Sequence, residues 1–160
     1  MMTQMNFSNM SLEEARQWLR GQVNDGVRCP CCHQFAKVYR RRINSGMARS
    51  LIRMFQRGRQ EWIHIPTVLP AKSREEGKLA YWKLVEESEE QREDGGRAGW
   101  WRVTDKGKAF IFRKIKLPKY AVIYNATLLR LDNTELVDIQ DCLGVRFNLA
   151  ELMRGHDRAA

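Results

Sequence analysis

A chain of 160 residues with 43% hydrophobic and 29% charged residues has the composition of one globular domain with, at most, a small appendage, which argues against a disordered chain. No stretch approaches the roughly 20 apolar residues that span a bilayer, and residues 1–10 lack the basic start and apolar run of a secretory signal. A cytoplasmic chain with reduced cysteines and no membrane contact is therefore expected. The formal net charge of +9 is concentrated in two blocks: residues 26–60 carry nine Lys/Arg and no acid, and residues 97–130 carry nine against one acid. Such blocks mark either a surface for a polyanion or a solvated basic face.

In chain order, Ser11-Leu12-Glu13-Glu14 has the form of a capping box, and Leu12, Ala15, Trp18 and Leu19 follow at helical spacing. A short amphipathic helix is predicted over 11–23, ended by Asn24-Asp25-Gly26. Cys29-Pro30-Cys31-Cys32-His33 comes next, then a short strand within Phe35 to Tyr39. Asn44-Ser45 opens a second helix with Met47, Leu51, Met54 and Phe55 on one face and Arg49, Arg53 and Arg57 on another. Trp62 to Ile65 is a short strand or extended link, and Pro66 to Leu69 a single helical turn bounded by Pro70.

Ser73-Arg74-Glu75-Glu76 reads as another capping box. Its helix places Leu79 and Trp82 inward and Arg74, Lys78 and Tyr81 on a separate stripe. Leu84-Val85 enters a strand, residues 86–98 form a polar loop turning at Asp94-Gly95-Gly96, and Trp100 to Val103 returns. Adjacent strand positions face opposite sides, so only one of Trp100 and Trp101 is expected outside. Thr104 caps a helix from Asp105 to about Arg113. Tyr120 to Tyr124 and Thr127 to Leu131 form a hairpin about Asn125-Ala126. Leu136 to Ile139 adds a strand, or else Asp138 caps a turn ending at Gly144. Asn148 caps a last turn, Leu149 to Met153.

The middle of the chain resembles the winged helix-turn-helix family. The residues that carry the resemblance are Leu79-Ala80-Tyr81-Trp82-Lys83-Leu84-Val85, similar to the end of a recognition helix running into the first wing strand, and Trp101-Arg102-Val103-Thr104-Asp105-Lys106-Gly107, similar to the second wing strand and the helix after it. The likeness covers about residues 44–115. The whole chain, with its Cys-Pro-x-Cys segment, also resembles small proteins encoded by tailed bacteriophages, a likeness that brings no established activity. The expected fold is α+β: an N-terminal helix plus Cys knuckle over 1–43, a winged helix-turn-helix over 44–115, and a β-rich extension over 116–160.

What the resemblance implies is double-stranded DNA binding, with the recognition helix in the major groove. Arg74, Lys78 and Tyr81 are then the residues facing DNA, with Lys72 on a phosphate. Gly77 lowers helix propensity by about 1 kcal/mol against Ala, which close approach to DNA or close packing would explain. Arg40, Arg41 and Arg42 form a phosphate clamp, with Lys114, Lys116 and Lys119 as a second line. The loop that should be the wing departs from this pattern. It carries Glu86, Glu87, Glu89, Glu90, Glu93 and Asp94, which phosphates repel.

Cys29 and Cys32 have the spacing of a zinc knuckle, and Pro30 suits the turn. A closed zinc site needs two further ligands, for which Cys31, His33, His64, Cys142 and His156 are the candidates. Reduced cysteines packed in a turn, or a redox pair, are the other readings. Catalytic signatures such as a nucleophile elbow, a phosphate-cradling glycine loop or His-Glu-x-x-His do not occur, so an enzyme is not expected. The leading function is a DNA-binding regulator or architectural factor of a phage-type genome, with a second copy of the chain as an expected partner in a homodimer. The alternative is a factor that binds a host nucleic-acid-processing protein through the acidic loop or the C-terminal part. Single-stranded nucleic acid stacking on Trp100, Trp101 or Tyr120 is a third reading.

Overall fold

The computed structural model describes residues 6–96 and 98–155 and is mixed α+β, with seven α-helices and three small sheets among the described residues. No helix among them is long and apolar enough to cross a membrane. The chain falls into two compact units, one running through Arg41 and including Val122–Arg130, the other comprising Arg42–Ala121 and the chain from Leu131. The segment 116–160 is thus shared between them.

The first unit begins with α1 (Leu12–Gln22), closed by the capping box: Glu14 N–H donates to Ser11 Oγ at 3.1 Å, and Ser11 N–H to the Glu14 carboxylate at 2.7 Å. The helix buries only Ala15, and Trp18 meets Phe7 edge to face at 4.9 Å. β1 (Val27–Arg28) and β2 (Phe35–Ala36) pair antiparallel, so Cys29 to His33 form the tip of a hairpin. The other hairpin turns at Asn125 and Ala126, both with left-handed φ (48° and 59°), as a two-residue turn matched to strand twist requires.

In the second unit α2 (Ser45–Gly58) is the central element. Asn44 caps it through Met47 N–H at 3.0 Å, and Met47, Leu51, Ile52, Met54 and Phe55 are buried along one side. Each such burial is worth about 1.5–3 kcal/mol. Then follow β4 (Ile63–His64), α3 (Ile65–Val68), α4 (Glu76–Leu79), β5 (Val85–Glu87), β6 (Trp100–Val103) and α5 (Asp105–Ile111). β6 is the middle strand of an antiparallel sheet ordered β4-β6-β5. Trp82 is fully buried and its indole N–H donates to Pro118 O at 2.7 Å, so the largest core side chain leaves no polar atom unpaired.

Thr104 caps α5 through Gly107 N–H at 3.1 Å and donates its hydroxyl to Lys83 O at 2.7 Å, fixing the helix to the end of the preceding turn. β7 (Leu117–Tyr124) and β8 (Thr127–Val137) join β3 (Tyr39–Arg42) in a sheet ordered β3-β7-β8, and the boundary between the units runs through these strands. Strand β8 continues to Val137, and Asp138 then caps α6 (Ile139–Leu143), which ends at Gly144. Of the two expectations for this stretch, the Asp138-capped turn ending at Gly144 forms, whereas Leu136 to Ile139 does not add a strand: Leu136 and Val137 end β8, and Ile139 lies in α6. α7 (Leu149–Met153) starts at the Asn148 cap.

The strands β7 and β8 extend beyond the expected Tyr120–Tyr124 and Thr127–Leu131, and the helix expected from Ser73 differs in kind. Ser73 does not cap a helix: it closes a 3₁₀ turn, Ala71–Ser73, and is buried. Its hydroxyl accepts from Arg53 Nη1 at 2.5 Å, a tertiary bond that takes the oxygen a cap would have used. The helix begins only at Glu76, with no side-chain cap, and passes after Leu79 into a second 3₁₀ turn, Ala80–Trp82. Arg74 is extended, with φ −94° and ψ 108°, so Arg74, Lys78 and Tyr81 do not form one continuous helix stripe.

Candidate nucleic-acid interface

Four of the sequence-predicted residues, Lys72, Arg74, Lys78 and Tyr81, lie on the approach to α4 and along the turns around it. Lys72 is exposed on the 3₁₀ turn. Arg74 is half-buried, and its guanidinium donates to Leu69 O and Pro66 O, both at 3.3 Å, which ties it across the turn after α3. Lys78 pairs with Glu75 at 2.7 Å, and Tyr81 is half-buried. Glu75 and Glu76 sit at the start of α4, where carboxylates suit the positive end of a helix but oppose phosphate. The segment from Lys72 to Lys78 thus carries three cations against two acids.

Gly77 is exposed, and a β-carbon built there meets nothing within 4 Å, so close packing does not account for it. Lys114 and Lys116 are exposed in the same unit, beyond α5. Arg40, Arg41 and Arg42 all lie on β3 with exposed side chains. Strand alternation sends Arg41 to the face opposite Arg40 and Arg42.

The acidic hairpin is folded on its own charges. Arg92 pairs with Asp94 at 2.7 Å and its amide donates to Gly96 O at 2.7 Å, while Glu86 pairs with Arg102. Glu89, Glu90, Glu93 and Asp94 are exposed. Trp100 is 39% exposed and Trp101 half-buried, as alternation requires. The His64 ring lies 5.2 Å from that of Trp100, with its Nδ1 hydrogen-bonded to Thr67 Oγ1, which gives this histidine a structural place.

Sequence reasoning noted the arginine stripe of α2 without assigning it a role. The structure divides it. Arg49 lies over the Phe147 ring at 4.4 Å, whereas Arg53 and Arg57 line a cavity of about 490 Å³ with Leu69, Pro70 and Arg154. The i, i+4 spacing of Arg53 and Arg57 was the available signal. Nothing local in the sequence links Arg154 to them.

At the hairpin tip Cys29 is half-buried, and Cys31 and Cys32 are exposed. Backbone amides of Cys32 and Cys31 donate to the Cys29 sulfur and hold its thiol below the ordinary range, while desolvation and the neighbouring Cys29 charge push Cys31 up. The Cys29 sulfur is also in hydrogen-bond contact with the thiols of Cys32 and Cys31. Among the described residues no three His, Cys, Asp or Glu are grouped to share a metal ion. Cys31, His33, His64 and Cys142 therefore do not complete a set with Cys29 and Cys32, and His156 lies outside the described residues.

No protein-family model, no curated protein and no solved structure matches this chain.

Proposed function

We infer that this chain binds double-stranded DNA through a winged helix-turn-helix spanning residues 44–115, as a regulator or architectural factor of a phage-type genome. The element order supports the reading: a long helix α2, a short strand, two short helices across a turn, then a hairpin whose second strand pairs back to the first, giving β4-β6-β5. The single observation that carries it is the gathering of Arg53, Lys72 and Arg74 at the entrance to α4, with Arg53 bonded to Ser73 in that entrance. In this reading α4 enters the major groove, Lys72 and Arg74 sit beside phosphates at its start, and Lys78 and Tyr81 face the groove. The acidic hairpin points away from the duplex. Arg40, Arg42, Lys114 and Lys116 supply further backbone contacts, while Arg41 lies on the opposite face of β3.

The test is a mobility shift on a labelled duplex across a salt series. The affinity is expected to fall linearly on a log–log plot, by about 0.9 in slope for each phosphate neutralised. No shift at low salt, or an affinity indifferent to salt, removes the reading. The exposed carboxylates of the hairpin favour a second reading, a factor that docks a basic protein surface. A partner retained after nuclease treatment, with no duplex shift, would decide for it.

At the knuckle, the thiol pair Cys29 and Cys32 supports zinc, with two ligands from outside the described residues or from another chain. Purified protein is then expected to carry at least about half an equivalent of zinc by elemental analysis, lost in Cys29→Ser.

A further inference from the structure

The cavity beside the entrance to α4 is walled by Arg53, Gln56, Arg57, Leu69, Pro70 and Arg154, and among the described residues no carboxylate lines it. Arg57 and Arg154 are exposed, and among the described residues neither pairs with an acid. Their placement is held by packing: Gln56 Nε2 donates to Leu152 O at 2.5 Å, so α2 and α7 are joined just where Arg57 and Arg154 emerge, and Leu152 is buried beneath. Arg53 forms the inner wall, with one guanidinium nitrogen on Ser73. Arg57 and Arg154 line one cavity, and an anion between them offsets the repulsion of like charges. An arginine fork matches two phosphate oxygens at once, and the apolar floor of Leu69 and Pro70 lowers the competing hydration.

We propose that this groove takes one backbone phosphate of the DNA duplex, anchoring it beside α4. The assignment rests on the duplex-binding reading above and adds to it a contact from α2 and the chain end. It also accounts for the weak charge of α4 itself, since Lys78 is paired with Glu75 and Arg74 is tied to carbonyls. The phosphate is a diester of the polymer and not a free phosphate ion, because the groove is open and adjoins Lys72 and Arg74 on the same turn.

The experiment compares the full chain with Arg57→Gln/Arg154→Gln in duplex binding across salt, and both proteins in titration with inorganic phosphate. Both side chains are exposed, so equal melting temperatures are expected and confirm that the variant is folded. The expected result is a salt slope lower by about 0.9, one phosphate, with affinity at moderate salt weakened about tenfold or more. Arg57→Lys/Arg154→Lys should recover the slope but not the full affinity, because ammonium keeps the charge and loses the fork. A wild-type chain that binds duplex with a slope unchanged in the Gln variant overturns the groove alone. Loss of inorganic phosphate binding with an unchanged duplex slope also overturns it, since the site would then serve a free ion. Failure of the wild-type chain to bind duplex at low salt overturns the underlying reading and the groove with it.

Discussion

A β-carbon at Gly77 would enter open space, and the residue sits exposed in α4. Nothing in the folded chain asks for glycine there, while its backbone entropy costs about 1 kcal/mol relative to alanine. Gly77→Ala is therefore expected to raise stability by up to about 1 kcal/mol, read as a higher denaturation midpoint. If α4 approaches DNA closely, the same variant loses duplex affinity; an unchanged affinity would put Gly77 away from the interface. Cys142 gives the opposite kind of case. Burial, helped by the charges of Asp141 and Asp138, pushes its thiol from 9.0 up to about 12. Below pH 9 the thiol is protonated both folded and unfolded. Above it the unfolded chain gives up the proton and the folded chain keeps it, so stability falls as pH rises from about 9 to about 12. Denaturation of wild type and Cys142→Ala across this window should show the alanine variant gaining relative to wild type at each step upward.

Elements closed by local chemistry were legible; those decided by tertiary contacts were not. The capping box of α1, the Asn44 cap of α2, the Thr104 cap of α5 and the Asn125-Ala126 turn need only neighbours in sequence, and each forms as its residues predict. Ser73-Arg74-Glu75-Glu76 has the same local pattern and fails, because Arg53, twenty positions earlier, claims the serine hydroxyl. The two-residue strand β1 lacks any periodicity to detect, and it is held extended by its pairing with β2. The docking of α5 shows how strict such contacts can be. A β-carbon at Gly107 would lie 2.1 Å from the carbonyl oxygen of Leu84, a backbone atom held by Thr104 N–H at 3.0 Å. Helix propensity favours alanine by about 1 kcal/mol, but overpacking against fixed backbone costs about 1–3 kcal/mol or more, so packing wins. Gly107→Ala is expected to destabilise by about 2 kcal/mol, in contrast to Gly77→Ala, and paired chemical denaturation of the two variants checks the signs together.

At the scale of the molecule, composition told that cationic charge was concentrated but not which cations are spent internally. Lys78 on Glu75, Arg102 on Glu86, Arg113 on Asp138 and Lys119 on Glu135 are paired within the fold. Pairing partners sixteen or twenty-five positions apart cannot be read from spacing, which is why Lys119 looked equivalent to Lys114 and Lys116 in sequence. Arg154 became part of a site only because α7 folds against α2. The triplet Arg40-Arg41-Arg42 tests how such charges add. As a loop, three adjacent guanidinium groups could meet three phosphates and contribute about 2.7 to the salt slope. On the strand β3 alternation divides them two to one, so a single DNA backbone meets at most Arg40 and Arg42, worth about 1.8. Replacing all three by Gln is expected to lower the slope by about 1.8, and Arg41→Gln alone to leave it unchanged. A measurable drop for Arg41→Gln would mean that both faces of β3 meet nucleic acid, as a strand inserted between two phosphate lines would require.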